Sequence, residues 1–133
     1  MEEKGRRLSR ERALLVLYRD ELLKNLESSE NVDHSLDELL DDYARLIVNS
    51  YNSNCEEIDE LIVGTAREWG IERMPEVDRA ILRIAVTELR LGNKIPTAVI
   101  LSEAVEIADI YSKEDSKKFI NGVLAAIAAT VRK

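Results

Sequence analysis

The sequence predicts an all-α fold, a bundle of about six helices joined by short loops. Three observations carry this. Apolar residues recur at spacings of three and four, the period of a helix face, and no useful stretch alternates with period two. Glycine and proline are scarce, 5 and 2 in 133 residues, which disfavours a turn-rich β fold. Hydrophobic residues make up 45% but aromatic residues only 5%, so the core must be aliphatic. At this length one domain, or two small subdomains sharing a core, is expected.

The first helix is predicted over residues 8–26. Leu8, Leu15, Tyr18, Leu22 and Leu26 fall near one face, flanked by Arg6 and Arg10 one turn apart. Residues 27–34 lose the period and read as a loop. Ser35 suits an N-cap, with Asp37 and Glu38 in the first turn. Leu36, Leu39, Leu40, Tyr43, Ile47 and Tyr51 then continue one stripe. Asn54 opens another helix, with Glu57 at capping-box spacing. Ile58, Leu61, Ile62 and Trp69 line its buried face, and Gly70 is placed as a left-handed stop. Residues 76–91 are apolar almost all round, as in a central helix touched on most sides. Arg79, Arg83 and Arg90 mark its remaining wet strip, and Gly92 and Asn93 end it. Pro96 suits the first turn of the next helix, where its missing N–H is harmless. That helix turns Glu103, Glu106 and Asp109 outward. Ser112 and Asp115 form another cap pair, and the last helix buries Ile120, Val123, Leu124, Ile127 and Val131. Asp78 onward reads as a second half-bundle packed on the first.

The formal net charge is -7, yet residues 4–13 gather Lys4, Arg6, Arg7, Arg10 and Arg12. A helix N-terminus is the positive end of the macrodipole and prefers acids. Arginines there work against the helix unless something outside the chain is anionic. Guanidinium groups match phosphates bidentately, so Arg6, Arg7 and Arg10 form an electrostatic footprint for nucleic acid. Short basic tracts are common, and the tract alone is a weak signal. Phe119 stands roughly 100° of helical rotation from the middle of the last helix's core stripe. Asp115, Gly122 and Ala126 share its side, and Lys118 is adjacent. Two readings stand for this face. One is close helix packing over Gly122 and Ala126, which pattern alone favours. The other is a base stacked on Phe119 with a phosphate on Lys118.

Several function classes are disfavoured. One cysteine, Cys55, rules out an internal disulfide framework and suits a reducing compartment. One histidine, His34, reads as solvated, and a single His and Cys make no zinc site of the usual kind. No glycine-rich phosphate loop is present, and the carboxylates fall on outer helix faces rather than in a dry pocket. No enzyme activity, cofactor or metal is expected. No apolar run approaches the ~20 residues of a membrane span. The apolar residues 14–18 are bounded at once by Arg19 and Asp20, unlike a signal peptide. The chain is expected to be soluble and cytoplasmic, with no membrane partner.

Three stretches, RRLSRERALLVLY, EVDRAILRIAVTEL and IPTAVILSEAVEIADIYSKEDSKKFINGVL, resemble in order and spacing the NusB family of bacterial transcription antitermination factors. The resemblance runs over nearly the whole chain. The last stretch is the most specific, because the family pattern also ends in an E-D-S-x-K-F-x-N-G-x-L run. The resemblance implies six to seven helices in two packed three-helix subdomains, with halves near 1–72 and 73–133, and no catalytic activity. It implies binding to the boxA element of nascent single-stranded RNA together with the ribosomal protein NusE. The RNA polymerase elongation complex is then met indirectly, notably on ribosomal RNA operons.

The same resemblance assigns residues. Arg6, Arg7 and Arg10 stand where the family's arginine-rich segment touches RNA. Leu8 departs from the pattern, a further Arg being common there, and weaker RNA affinity is the expectation. Tyr18 matches a tyrosine near the RNA surface and equally suits core packing. Asp115, Lys118 and Phe119 match the RNA-side start of the last helix. Asp78 falls where an acidic residue faces the ribosomal protein. An acidic body suits a basic partner and speeds its encounter. Some family members are expected to form homodimers through the surface used for RNA. Two alternatives remain. One is an RNA-binding domain related to the N-terminal domain of a ribosomal RNA cytosine methyltransferase, although the chain stops at Lys133 and no cofactor-binding domain is expected. The other is a helical scaffold that binds protein only.

Overall fold

The computed structural model describes residues 3–24, 35–92 and 95–132, with side chains from Arg6 onward. Seven helices occur among them: α1 (Glu3–Leu23), α2 (Ser35–Glu38), α3 (Asp42–Ser53), α4 (Cys55–Glu68), α5 (Glu76–Arg90), α6 (Thr97–Tyr111) and α7 (Ser116–Val131). The described residues contain no strand, so the all-α expectation holds. The loop assigned to 27–34, with His34, and the stop at Asn93 lie outside the described residues.

The axis of the molecule is α5. Every residue from Ala80 to Leu89 is buried, and α5 packs against α1, α3, α4, α6 and α7. One aliphatic core surrounds it. Ile81 and Leu82 share that core with Leu14 of α1, Ile47 of α3, Ile62 of α4, Ile100 of α6 and Leu124 of α7. Each such side chain contributes about 1.5–3 kcal/mol of transfer free energy. Gly70 and Gly92 both take the left-handed conformation, with φ of 76° and 68°. At Gly70 the motif is complete: the Gly70 N–H donates to Arg67 O (2.9 Å) and the Ile71 N–H to Ala66 O (3.0 Å), satisfying two of the last carbonyls of α4.

Several local expectations need correction. Helix α1 begins at Glu3 rather than residue 8, and its buried face is not the leucine stripe. Leu8, Leu15 and Leu22 are 47%, 42% and 41% exposed, while Ser9, Arg10, Ala13, Leu14, Val16 and Leu17 are buried. The inward face mixes Ala13, Leu14, Val16 and Leu17 with the polar Ser9 and Arg10, which break the apolar pattern at its N-terminal end. The stripe from Leu36 to Tyr51 is not one helix. It breaks at Leu39–Asp41, where Asp41 caps α3 by accepting from Ala44 N (2.8 Å) and from the buried Ser9 Oγ (2.5 Å). Burial pushes the Asp41 carboxyl up, and the Ser9 and Ala44 hydrogen bonds outweigh it, leaving the pKa below its usual value. The Asn54 side chain makes no cap bond to α4; its Nδ2 donates back to Ser50 O (2.8 Å). Pro96 sits at the N-cap of α6, one position before the first turn. Arg83 does not lie on a wet strip, being only 5% exposed.

Trp69 is not core either. It is 49% exposed, and the six-membered ring of its indole sits against α7 at Gly122. A Cβ at Gly122 would stand 2.2 Å from the ring's Cη2. The close approach expected at Gly122 is therefore to a side chain, and Ala126 is exposed. Gly122→Ala should push the indole off α7 and shift the protein's single tryptophan emission to longer wavelength. Net stability should stay within about 1 kcal/mol, because alanine recovers about that much helix propensity. Unchanged emission from the variant would mean the ring does not rest there.

Candidate nucleic-acid interface

Because α1 extends back to Glu3, the three candidate arginines stand on a formed helix. Arg10 points inward and is 1% exposed, as is Glu88 of α5. Arg10 Nε and Nη2 donate to the two Glu88 carboxylate oxygens at 2.7 and 2.9 Å. The Tyr43 hydroxyl of α3 also donates to Glu88, at 2.7 Å. Arg10 Nη1 reaches Glu103 of α6 at 3.3 Å. Arg7, one turn earlier, donates to both Glu103 oxygens at 2.6 and 2.7 Å and also to Glu106. Arg6 is half-buried with its guanidinium 4.6 Å above the centre of the Tyr43 ring, a cation–π contact. Among the described residues its Nε has no hydrogen-bond partner.

Four helices thus meet in one charged network. The hydrogen bond from Arg7 holds the Glu103 carboxyl below the usual range, against burial, which acts the other way. Burial pushes the Tyr43 hydroxyl up to about 12, helped by the charge of Glu88 and the bond to it. Tyr43 therefore stays a donor to Glu88 at neutral pH. The anion that makes an arginine-rich helix start tolerable lies inside the chain. This corrects the expectation of an outside anion, and it corrects the exposed position assumed for Arg10. Glu103, expected to face outward, turns to the arginines.

The other candidate residues divide. Tyr18 is half-buried against the core. Asp78 does not face outward; it is 1% exposed, and its two oxygens accept from Ser112 and Ser116 Oγ, each at 2.6 Å. Its carboxylate closes the α6–α7 turn onto the start of α5. Asp115 is exposed at the N-cap of α7 but makes no side-chain cap bond, and Ser112 serves Asp78 instead of pairing with it. Lys118 is exposed, and Phe119 is half-buried against the core. A shallow groove between α6 and α7 is lined by Ser102, Val105, Glu106, Lys117, Lys118 and Asn121. Glu106 belongs both to this groove and to Arg7, so the arginine end and Lys118 share one surface. Glu88 escaped the sequence reading, and Tyr43 entered it only as a member of the stripe from Leu36 to Tyr51, without its bond to Glu88. A single acid closing the apolar run AILRIAVTEL was the available signal for a buried ion pair.

Two outcomes follow from the network. Arg10→Ala leaves Glu88 buried without its partner and should cost about 3–5 kcal/mol in urea unfolding. Arg10→Met combined with Glu88→Leu should recover most of that loss, since a packed apolar pair avoids desolvating two charges. A double variant as unstable as the single one would contradict this account. The Arg7–Glu103 bond also predicts a pH dependence. Glu103 has a lowered pKa when folded, so its contribution is present above the unfolded value of about 4.3 and lost as pH falls through the folded one. Arg7→Gln should be about 1 kcal/mol less stable at neutral pH, and the deficit should shrink as pH is lowered below that unfolded value. A deficit of constant size across that range would show that Glu103 is not its source.

The NusB family model matches residues 7–129. The transcription antitermination protein NusB of Bacillus mycoides is 40% identical over 128 residues, covering 95% of this chain and 98% of that protein. The Bacillus anthracis protein of the same name matches to the same extent. The T. maritima NusB structure superposes with a TM-score of 0.78 at 34% identity, covering 93% of this chain and 90% of that one. A crystal structure of antitermination factors NusB and NusE in complex with double-stranded RNA superposes with a TM-score of 0.76 at 31% identity, covering 96% and 98%. A helical body with an arginine-rich first helix, matched this far in sequence and in shape, leaves one assignment: the chain belongs to the NusB family.

Proposed function

We propose that this protein is a transcription antitermination factor that binds boxA-type single-stranded RNA jointly with a NusE-type ribosomal protein. It acts in the cytoplasm, reaches the RNA polymerase elongation complex through that pair, and catalyses no reaction. The observation that carries this reading is the likeness, over nearly the whole chain, to a NusB seen with NusE and double-stranded RNA; that the RNA is unpaired and of boxA type rests on the family resemblance. The charge distribution supports it. The body is acidic, at -7 overall, which suits a basic ribosomal protein. Arg6, Arg7 and Lys118 give RNA a basic edge on the same surface, with Phe119 and Asp115 at the start of α7. Arg10 acts differently: it sets the position of α1 through Glu88 and offers RNA no exposed guanidinium. The buried Asp78 likewise supports a partner surface by fixing the α6–α7 turn, without its carboxylate reaching the partner.

Titration of short boxA-type RNA tests this, with and without the ribosomal protein. Binding to the isolated chain should be weak, and the partner should tighten it several-fold. Arg6→Gln and Lys118→Gln should each lower affinity and flatten the salt dependence by a slope near 0.7 per lost phosphate contact. Equal affinity with and without the ribosomal protein would refute joint recognition, and an unchanged salt slope in the double variant would remove these two residues from the RNA surface.

A further inference from the structure

The groove between α6 and α7 has a chemistry that the fold does not use. Lys117 is already committed, its Nζ lying 2.8 Å from Asp109 and 3.3 Å from Glu114. Lys118, Asn121 and Ser102 are exposed, and among the described residues no hydrogen bond engages their side chains. Lys118 and Asn121 stand three residues apart, on neighbouring turns of one face of α7. Val105 supplies an apolar floor and Glu106 an acidic wall. The groove holds about 490 Å³, within the range of sites that take small-molecule-sized groups.

These groups complement one kind of ligand. An amide presents a donor and an acceptor side by side, which matches the edge of an unpaired base. Glu106 can only accept while ionised, so it favours an exocyclic amine and repels a carbonyl in the same place. Adenine and cytosine carry that amine; uracil and guanine present a carbonyl there. Lys118 provides the cation for the attached phosphate. Arg7, which holds Glu106 from the other side, keeps the acidic wall in position.

We propose that this groove is a nucleotide subsite for one unpaired adenine or cytosine. Asn121 and Glu106 read the amino edge of the base, and Lys118 holds its phosphate. The inference rests on the RNA-binding function above.

The test uses the full chain with its ribosomal protein and a boxA-type RNA. In a series of RNAs each adenine is replaced in turn by purine riboside, which lacks the amine, and each cytosine by uridine. One replacement should cost the native protein about tenfold. Asn121→Ala, with an unchanged melting temperature, should bind the unmodified RNA about tenfold more weakly and be indifferent to that same replacement. Glu106→Gln should tolerate uridine there. The subsite is refuted if every replacement costs native and Asn121→Ala proteins alike. It is equally refuted if Asn121→Ala loses the ribosomal protein but not RNA, which would make the groove a protein surface. A native chain that retains no RNA at all would bring down the function itself, and the subsite with it.

Discussion

Glu88 is buried in the last turn of α5, the most buried helix among the described residues, and Arg10, 78 residues away in sequence, is what makes that tolerable. Neither group can leave the interior without dragging its helix, and neither can stay without the other. Desolvating two ions costs several kcal/mol each, so the pair is poor evidence for stability as such. Its value is positional. Two parallel hydrogen bonds in a fork fix both the rotation and the height of α1 against α5 in a way that leucines do not. Once Arg10 points inward, the residues three and four positions earlier must lie one turn up, at the rim. That puts Arg7 against Glu103 and Glu106 of α6, and Arg6 over Tyr43 of α3. The orientation of the basic edge is therefore a consequence of a core ion pair.

The same logic recurs along α5. At its start Asp78 receives the hydroxyls of Ser112 and Ser116 from the α6–α7 turn. One turn on, Arg83 forks onto Asp59 of α4 at 2.9 and 3.1 Å and reaches Glu21 of α1 at 3.1 Å. Burial alone would push the Glu21 carboxyl up, yet the Arg83 hydrogen bond and charge hold it below the usual value. Past the end of α5, Arg132 donates to the carbonyls of Leu89 (3.0 Å) and Ile95 (2.6 Å). The bond to Leu89 satisfies a carbonyl left open where α5 stops and places a cation at the negative end of its dipole, and the bond to Ile95 ties in the segment that leads to α6. Apolar packing holds these helices together without regard to small slips in register. Polar contacts spaced along one helix, each tied to a different neighbour, remove those slips.

What the sequence could and could not reveal follows from this. The helical period, the all-round apolar character of residues 76–91 and the left-handed stops at Gly70 and Gly92 are local properties, and they were legible. The face of α1 was not. Leu8, Leu15 and Leu22 repeat at helical spacing on the outside, while the inner side sets Leu14, Val16 and Leu17 beside Ser9 and Arg10, so two apolar stripes compete and the polar pair marks the wrong one as wet. Arg83 was assigned to water and Asp78 to a partner-facing surface for a related reason: a charged residue is read as exposed until its partner in the chain is known, and the partners are dozens of residues away. Trp69 was given to the core because it continues the stripe of Ile58, Leu61 and Ile62, although the surface that receives its ring is created by Gly122 on another helix. Among the candidate site residues, Lys118 was legible because its exposure needs no distant partner. The role of Arg10 was not, because it is defined by Glu88.

The network also bounds what the protein can do alone. Of the three arginines at the start of α1, one is buried and one is held by two carboxylates, so few cations near the RNA edge are uncommitted. Single-stranded RNA affinity grows with the number of phosphates neutralised, each releasing counterions. A chain of net charge -7 that exposes few free cations cannot take much from that source. Intramolecular acids occupy the guanidinium groups that phosphates would otherwise use, and RNA must compete with them. Affinity gained jointly with a second, basic protein avoids the conflict. Under the proposed function, an acidic body suits a basic partner, and RNA bound by both proteins meets the second surface at a high effective concentration. An acidic protein with a small, partly self-neutralised basic edge is suited to hold RNA as half of a pair and to let go of it when alone.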